Sequence, residues 1–218
     1  MRIAIIGGHG QIALQLTRLL SERGNVVQAV IRNPAHTGDV EEVGGQAVVL
    51  DLEGPGADEL VATLSGVDAV VFAAGAGPGS GVERKYAVDR DGSVLLAEAA
   101  QKAGVRRFVQ ISSMGAGQPA AGGDESWVAY IDAKTQAEND LRGRDLDWTI
   151  VRPGSLTNEP ATGLVRLAES VPGGRIPRGD VATVLAELLV TGGGVGHVLE
   201  LISGETTVAA AVAAFSAG

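Results

Sequence analysis

The residues best equipped for chemistry are Tyr130 and Lys134, spaced i and i+4 within a stretch from Trp127 to about Leu141 that carries a helical pattern. On a helix this spacing puts both side chains on one face with Cβ atoms roughly 6 Å apart. An ammonium that close favours the phenolate, so a phenol whose ordinary pKa is about 10 becomes a poised proton donor. The chain has two tyrosines, and three lysines against fourteen arginines, so a lysine at this spacing stands out from the background. The bland alternative is a solvated helix face.

A second group binds rather than reacts. The apolar run Arg2 to Ile6 ends in Gly7-Gly8-His9-Gly10-Gln11-Ile12-Ala13, and a helical pattern with Ile12, Leu16, Leu19 and Leu20 on one face follows at once. Strand, glycine turn and helix N-terminus together bring backbone N–H groups and aligned peptide dipoles to an anion. The spacing Gly7-x-x-Gly10-x-x-Ala13 is a variant of the Rossmann dinucleotide fingerprint, with alanine in the last position. Arg32 ends the next strand, where an NAD-binding protein carries an acid for the ribose 2′-hydroxyl; a guanidinium there pairs with a 2′-phosphate, which favours NADP, with NAD as the alternative. Asp51 and Leu52, after the third strand, would border the adenine.

Positioning these residues requires alternating strands and helices. Strands are expected at Val26 to Ile31, Val48 to Leu50, Val67 to Ala73, Arg107 to Ile111, Trp148 to Val151 and Val198 to Ile202. Helices are expected over Asp58 to Ser65, Arg84 to Ala103 (stopped by Gly104), Trp127 to Leu141 and Asp180 to Val190, with an irregular stretch from Gly154 to Gly179. The pattern predicts an α/β Rossmann fold, a doubly wound parallel sheet with helices on both faces. Ligands bind such a sheet beyond the carboxyl ends of its strands. Gly7 to Gly10, Arg32, Asp51, Ala73-Ala74-Gly75, Ser112-Ser113 and Pro153-Gly154 all sit at or just after strand ends, so the fold would collect them on one edge.

With these residues in view the chain resembles the short-chain dehydrogenase/reductase superfamily. The resemblance is carried by the glycine turn, Ile111-Ser112-Ser113, Tyr130-x-x-Ala133-Lys134-x-x-Ala137-Glu138 and Val151-Arg152-Pro153-Gly154, and it spans nearly the whole sequence. The short length and Arg32-Asn33-Pro34 resemble the atypical NAD(P)H-binding branch, with its NmrA-like and flavin/biliverdin-reductase-like members. The resemblance implies a Ser–Tyr–Lys site. Ser113 would orient the substrate oxygen, with Ser112 as the competing serine; Tyr130 would act as acid/base, and Lys134 would also bind the nicotinamide ribose. It further implies that Pro153, Gly154 and Ser155 border the nicotinamide, and it puts Asp89 where an Asn or Asp precedes the fourth helix. Gly8 and His9 depart from the alanine and threonine usual in this branch's first turn.

Composition narrows the class. A net charge of −9 and the absence of a basic cluster argue against nucleic acid as a partner. Without cysteine, and with His9, His36 and His197 scattered, no metal site is expected. The first apolar run stops at Gly7, too short for a signal peptide, and no stretch reaches membrane-spanning length, so a soluble cytoplasmic protein without a membrane partner is expected. A length of 218 residues suits one NAD(P)-binding domain, with 155–180 adding a small substrate-side segment; nothing indicates an oligomer. The function expected is an NAD(P)H-dependent reductase of a small carbonyl, quinone or flavin-like acceptor. The alternatives are an NADP(H)-binding redox sensor without turnover and an epimerase/dehydratase-like enzyme, the latter disfavoured by the little room after residue 155 for a substrate domain.

Overall fold

The computed structural model describes residues 1–52, 57–77, 79–120 and 122–216. In chain order the elements are β1 (Arg2–Ile6), α1 (Gln11–Glu22), β2 (Val26–Ile31), a 3₁₀ turn (Pro34–His36) leading into α2 (Thr37–Glu42), β3 (Gln46–Val49), α3 (Ala57–Thr63) and β4 (Ala69–Phe72). A short α4 (Val82–Arg84) then runs through a π-helical segment (Lys85–Asp91) into α5 (Gly92–Ala103), followed by β5 (Arg107–Ile111), α6 (Glu125–Arg142) and β6 (Asp147–Pro153). The remainder is β7 (Ser155–Thr157), β8 (Leu164–Ala168), β9 (Arg175–Pro177), α7 (Arg178–Thr191), β10 (Val198–Ser203), β11 (Thr206–Thr207) and α8 (Val208–Ala213).

Nine strands form one sheet in the order β11-β8-β10-β6-β5-β4-β1-β2-β3. From β3 to β10 neighbouring strands are parallel, with β1 between β2 (Ile6 opposite Val30) and β4 (Ile6 opposite Phe72). The order reverses between β1 and β4, and a crevice opens there at the carboxyl ends. The doubly wound parallel sheet expected from the sequence is present, with an antiparallel addition at one margin. β8 runs antiparallel to both β10 and β11. Its burial alternates, with Val165 and Leu167 inward and Leu164 and Arg166 outward, as in a strand covered on one face. A search for continuous apolar runs passes over that pattern, and the segment expected to be irregular holds β7, β8 and β9.

The uninterrupted apolar character of the central strands reflects cover on both faces. Ile3 and Ile5 pack with Leu16 and Leu20 of α1 and with Val184, Leu185 and Leu188 of α7. The alternate residues Ala4, Ile6, Val70 and Phe72 face α3, α5 and α6 through Leu60, Leu64, Leu96 and Leu141. These side chains are almost fully buried, each contributing about 1.5–3 kcal/mol for the large aliphatics, so the sheet is a rigid base for the loops on its edge. Among the described residues no helix is long and apolar enough to cross a membrane, and no three His, Asp or Glu side chains cluster as metal ligands.

Candidate active site

The turn after β1 is shaped by backbone packing. Gly7 has φ +81°, and a Cβ there would come within 2.6 Å of the Ala74 Cα. A Cβ on Gly8 would meet the Ala29 Cβ at 2.6 Å. These two glycines let the turn sink between β2 and β4. Gly10 is different: its φ is −61°, and the nearest atom to an added Cβ is the Gly7 carbonyl oxygen at 3.3 Å. It N-caps α1 with no side-chain cap and no acid in the first turn, and its own carbonyl accepts from Leu14. The amides of Gln11, Ile12 and Ala13 therefore open the helix without intrahelical partners, which is the donor set an anionic pyrophosphate requires.

Two cavities share Gly10, Ala73, Ala74 and Gly75 and so form one continuous cleft across the glycine turn. The first, about 400 Å³, lies between β1 and β2 and is lined by Gly7, His9, Arg32, His36, Asp51, Leu52 and Arg84. Arg32 is exposed at the end of β2. His9 stacks on His36 at 3.6 Å between ring centroids and 11° between planes, and its Nε2 lies 2.7 Å from an Asp39 carboxylate oxygen.

The second cavity, about 1070 Å³, is lined by Gln11, Ile12, Ser112, Ser113, Tyr130, Lys134, Pro153, Gly154 and Ser155. Every residue given a catalytic or cofactor-binding role from the sequence thus borders one cavity or the other, except Gly8, which is buried beneath the turn. The same wall includes several residues that sequence reasoning did not single out: Lys85, Met114, Trp127, Leu156 and Arg178. Lys85 carried a signal, being one of only three lysines, four residues ahead of Asp89.

α6 begins with Asp124, whose carboxylate accepts from the Trp127 amide at 2.8 Å, and this cap sets the phase that turns Tyr130 and Lys134 toward the cleft. Lys134 is 3% exposed; its ammonium lies 3.0 Å from Asp89 Oδ1, donates to the Ile111 carbonyl at 3.3 Å, and stands 5.8 Å from the Tyr130 ring centroid. Burial is the strongest single influence on Lys134 and works against its charge. Tyr130, Asp89 and Glu138 together outweigh it and hold the pKa above the ordinary lysine value. Asp89 is fully buried, and its other oxygen accepts from the Ala76 amide at 3.0 Å, so it ties the loop after β4 to the lysine.

The helix after that loop is not the regular α-helix its pattern predicts. Residues 85–91 form a π-helical stretch whose buried members are Lys85 and Asp89, both against the cleft. Tyr86 turns the other way and donates to Asp132 of α6 at 2.7 Å. This bond, reinforced by burial and by the negative charge of Asp132, raises the Tyr86 pKa. The two tyrosines therefore differ in kind: Tyr86 is committed to a carboxylate, while Tyr130 borders the cavity and has ammonium groups on its ring.

The two serines after β5 are also distinct. Ser112 is buried and its hydroxyl donates to Glu138, which in turn accepts two bonds from Arg152 of β6. Ser113 is half-buried, and its hydroxyl makes only a long 3.3 Å contact to the neighbouring Met114 carbonyl. Glu138 and Arg152 thus form a buried brace that joins α6 to the ends of β5 and β6.

An uncapped helix N-terminus behind a glycine turn, at the reversal point of a parallel sheet, defines a Rossmann dinucleotide-binding domain. Sequence comparison names the family: residues 7–191 match the NAD(P)H-binding family, and the chain belongs to it. The uncharacterized sugar epimerase YhfK of Bacillus subtilis is 34% identical over 213 residues, covering 97% of this chain and 99% of its own. A putative NAD-dependent epimerase/dehydratase from Bacillus halodurans superimposes with a TM-score of 0.91 at 34% identity, covering 98% of this chain and 99% of that one. The oxidoreductase ylbE from Lactococcus lactis does so with a TM-score of 0.86 at 30% identity, covering 98% and 96%.

Proposed function

We propose that the protein is an NADP(H)-dependent oxidoreductase that reduces a small carbonyl, quinone or flavin-like acceptor. The observation that carries this reading is Tyr130 on the cavity wall beside Lys134, a buried lysine kept charged by Asp89. The amides of Gln11, Ile12 and Ala13 would hold the pyrophosphate, and Arg32 the 2′-phosphate. Asp51 and Leu52 would border the adenine, while Pro153, Gly154 and Ser155 would flank the nicotinamide. The cofactor supplies the hydride.

The chain's own residues manage the proton. Ser113 hydrogen-bonds the acceptor oxygen and fixes its position. Tyr130 Oη gives that oxygen its proton, and Lys134, which cannot readily lose its own proton beside Asp89, stabilises the phenolate left behind. Glu138 and Arg152 hold α6 at a fixed distance from β5, so that hydroxyl and phenol approach one substrate atom. A redox sensor that only bound the dinucleotide would have no use for this arrangement.

The test is titration of the purified protein with NADPH and NADH, followed by a turnover screen over quinones, flavins, aldehydes and ketones. Tighter binding of NADPH and its net consumption with at least one acceptor is expected. The names of two relatives favour a second reading, epimerisation, in which NAD(P) is reduced and reoxidised within one cycle. Conversion of a sugar nucleotide with no net change in NADPH would support that reading over ours.

A further inference from the structure

Lys85 is 8% exposed, borders the larger cavity, and stands 5.4 Å from the Tyr130 ring centroid. Among the described residues its ammonium makes one hydrogen bond, to the Gly77 carbonyl at 3.1 Å, which leaves two of its three N–H donors unused. No carboxylate among those residues pairs with it. Asp89, its neighbour on the π-helical stretch, is engaged with Lys134 and the Ala76 amide; Asp124 caps α6; Asp132 accepts from Tyr86 and Gln136. A buried ammonium with a single neutral acceptor is costly unless an anion completes its shell. On another part of the wall the Arg178 guanidinium bonds, among the described residues, only the neutral Asn158. The two carboxylates on this wall, Asp89 and Asp124, are engaged by Lys134 and by the Trp127 amide, which leaves Lys85 and Arg178 as its cations without a carboxylate partner among the described residues, in a protein of net charge −9.

We propose that Lys85 is the anchor of a carboxylate subsite: the acceptor reduced at Tyr130 is an organic acid whose carboxylate binds the Lys85 ammonium. This deepens the oxidoreductase reading and rests on it for the words "acceptor" and "reduced". The subsite suits a carboxylate better than a phosphate. A phosphate dianion calls for several convergent donors, whereas Lys85 offers two, and the Ala76 amide on the same cavity wall is already taken by Asp89. The rest of the acid would be apolar or aromatic, since Met114, Leu156 and the 43% exposed Trp127 line the same cavity, with the Trp127 ring 5.6 Å from that of Tyr130.

The experiment uses benzoate and its neutral isostere benzamide as probes, measured calorimetrically with the full chain, both alone and saturated with NADP⁺. Wild type should bind benzoate at least about tenfold more tightly than benzamide, a factor that corresponds to about 1.4 kcal/mol. Lys85→Met and Lys85→Gln should erase that difference, Lys85→Arg should retain most of it, and NADP⁺ affinity should be the same in all four proteins. Equal binding of the two probes by wild type overturns the proposal, even if the variants fail to fold. So does undiminished benzoate binding in Lys85→Met, and so does a matching fall in NADP⁺ affinity, which would assign the lysine to the cofactor. None of these measurements needs turnover. A protein that distinguishes the probes through Lys85 but reduces nothing would refute the oxidoreductase reading and leave the anion subsite standing.

Discussion

The two ends of the cleft are built by different means. At the β1–β2 end, binding capacity resides in the backbone and in exposed side chains: the glycine turn, three helix amides and Arg32 at the protein surface. At the β5–β6 end it resides in buried side chains locked to one another, Lys134 with Asp89 and Ser112 with Glu138 and Arg152. A backbone cradle needs few particular side chains and tolerates change around it. A buried polar network fails when any one member is removed, because the others remain desolvated without partners.

In the proposed reaction proton transfer depends wholly on the second end, so the largest effect should come from Tyr130→Phe. The ring stays near Lys85 and Trp127 while the phenolic proton is lost. Steady-state reduction of whichever acceptor the screen returns should slow by about 10² to 10⁴, the contribution of a positioned general acid, with NADPH affinity unchanged. Full activity would mean that hydride transfer proceeds without a protein acid and that the two ends share one role, binding.

Asp89→Asn attacks the network without touching the acid. It strips Lys134 of the carboxylate 3.0 Å away and leaves the buried ammonium with neutral acceptors such as the Ile111 carbonyl, which should cost about 3–5 kcal/mol in denaturant unfolding. The pH dependence gives a second readout. Because the folded Lys134 pKa is raised, its stabilising contribution is complete below the ordinary value of 10.5 and is lost as pH climbs through the higher folded value. Without Asp89, burial weighs more heavily against the charge, so the loss of stability above pH 10.5 should shrink. Identical alkaline profiles for the variant and wild type would show that Asp89 does not govern the lysine.

The same asymmetry decided what could be read from the sequence. The glycine turn, Arg32 and the Tyr130–Lys134 spacing are local patterns, each confined to a few residues, and the order of strands and helices follows from unbroken apolar runs. The brace was hidden because its members, Ser112 after β5, Glu138 on α6 and Arg152 on β6, belong to three separate motifs whose pairing does not show until α6 is laid beside β5 and β6. Lys85 was hidden because a regular helix gives no reason to expect a π-helical stretch. The antiparallel edge was missed for a different reason: β8 is half-exposed and only five residues long, and its alternation is too brief to separate from a loop.

At the backbone end, Gly10→Val should weaken NADPH and NADH together by at least about tenfold while leaving the apo protein's thermal stability near wild type. The asymmetry of the glycines underlies this. Gly7 is required by its positive φ and by the contact an added Cβ would make with Ala74, whereas Gly10 has an ordinary φ and tolerable neighbours. A side chain at Gly10 therefore meets the ligand and little of the protein. A fall in apo stability with ligand-induced stabilisation intact would make Gly10 as structural as Gly7 and blur the distinction between cradle and scaffold.

The smallest effect should come from the most exposed participant. Arg32 sits at the end of β2, in place of the acid that would bind a ribose 2′-hydroxyl, with Arg84, His36 and Asp51 on the same cavity wall. Wild type should prefer NADPH to NADH by up to about tenfold, the range for a charge-assisted contact that remains in water. Arg32→Glu should abolish or reverse the preference, chiefly by weakening NADPH, while NADH changes little because it lacks the phosphate. Arg32→Met separates charge from bulk: it should lose the preference without reversing it. Since the contact is at the surface, the wild-type preference should also narrow as ionic strength rises, whereas binding to the amides of α1 is common to both cofactors and should leave their ratio alone. Equal wild-type affinity for NADPH and NADH, unmoved by Arg32→Glu or by salt, would show that this end of the cleft reads the dinucleotide through its backbone alone.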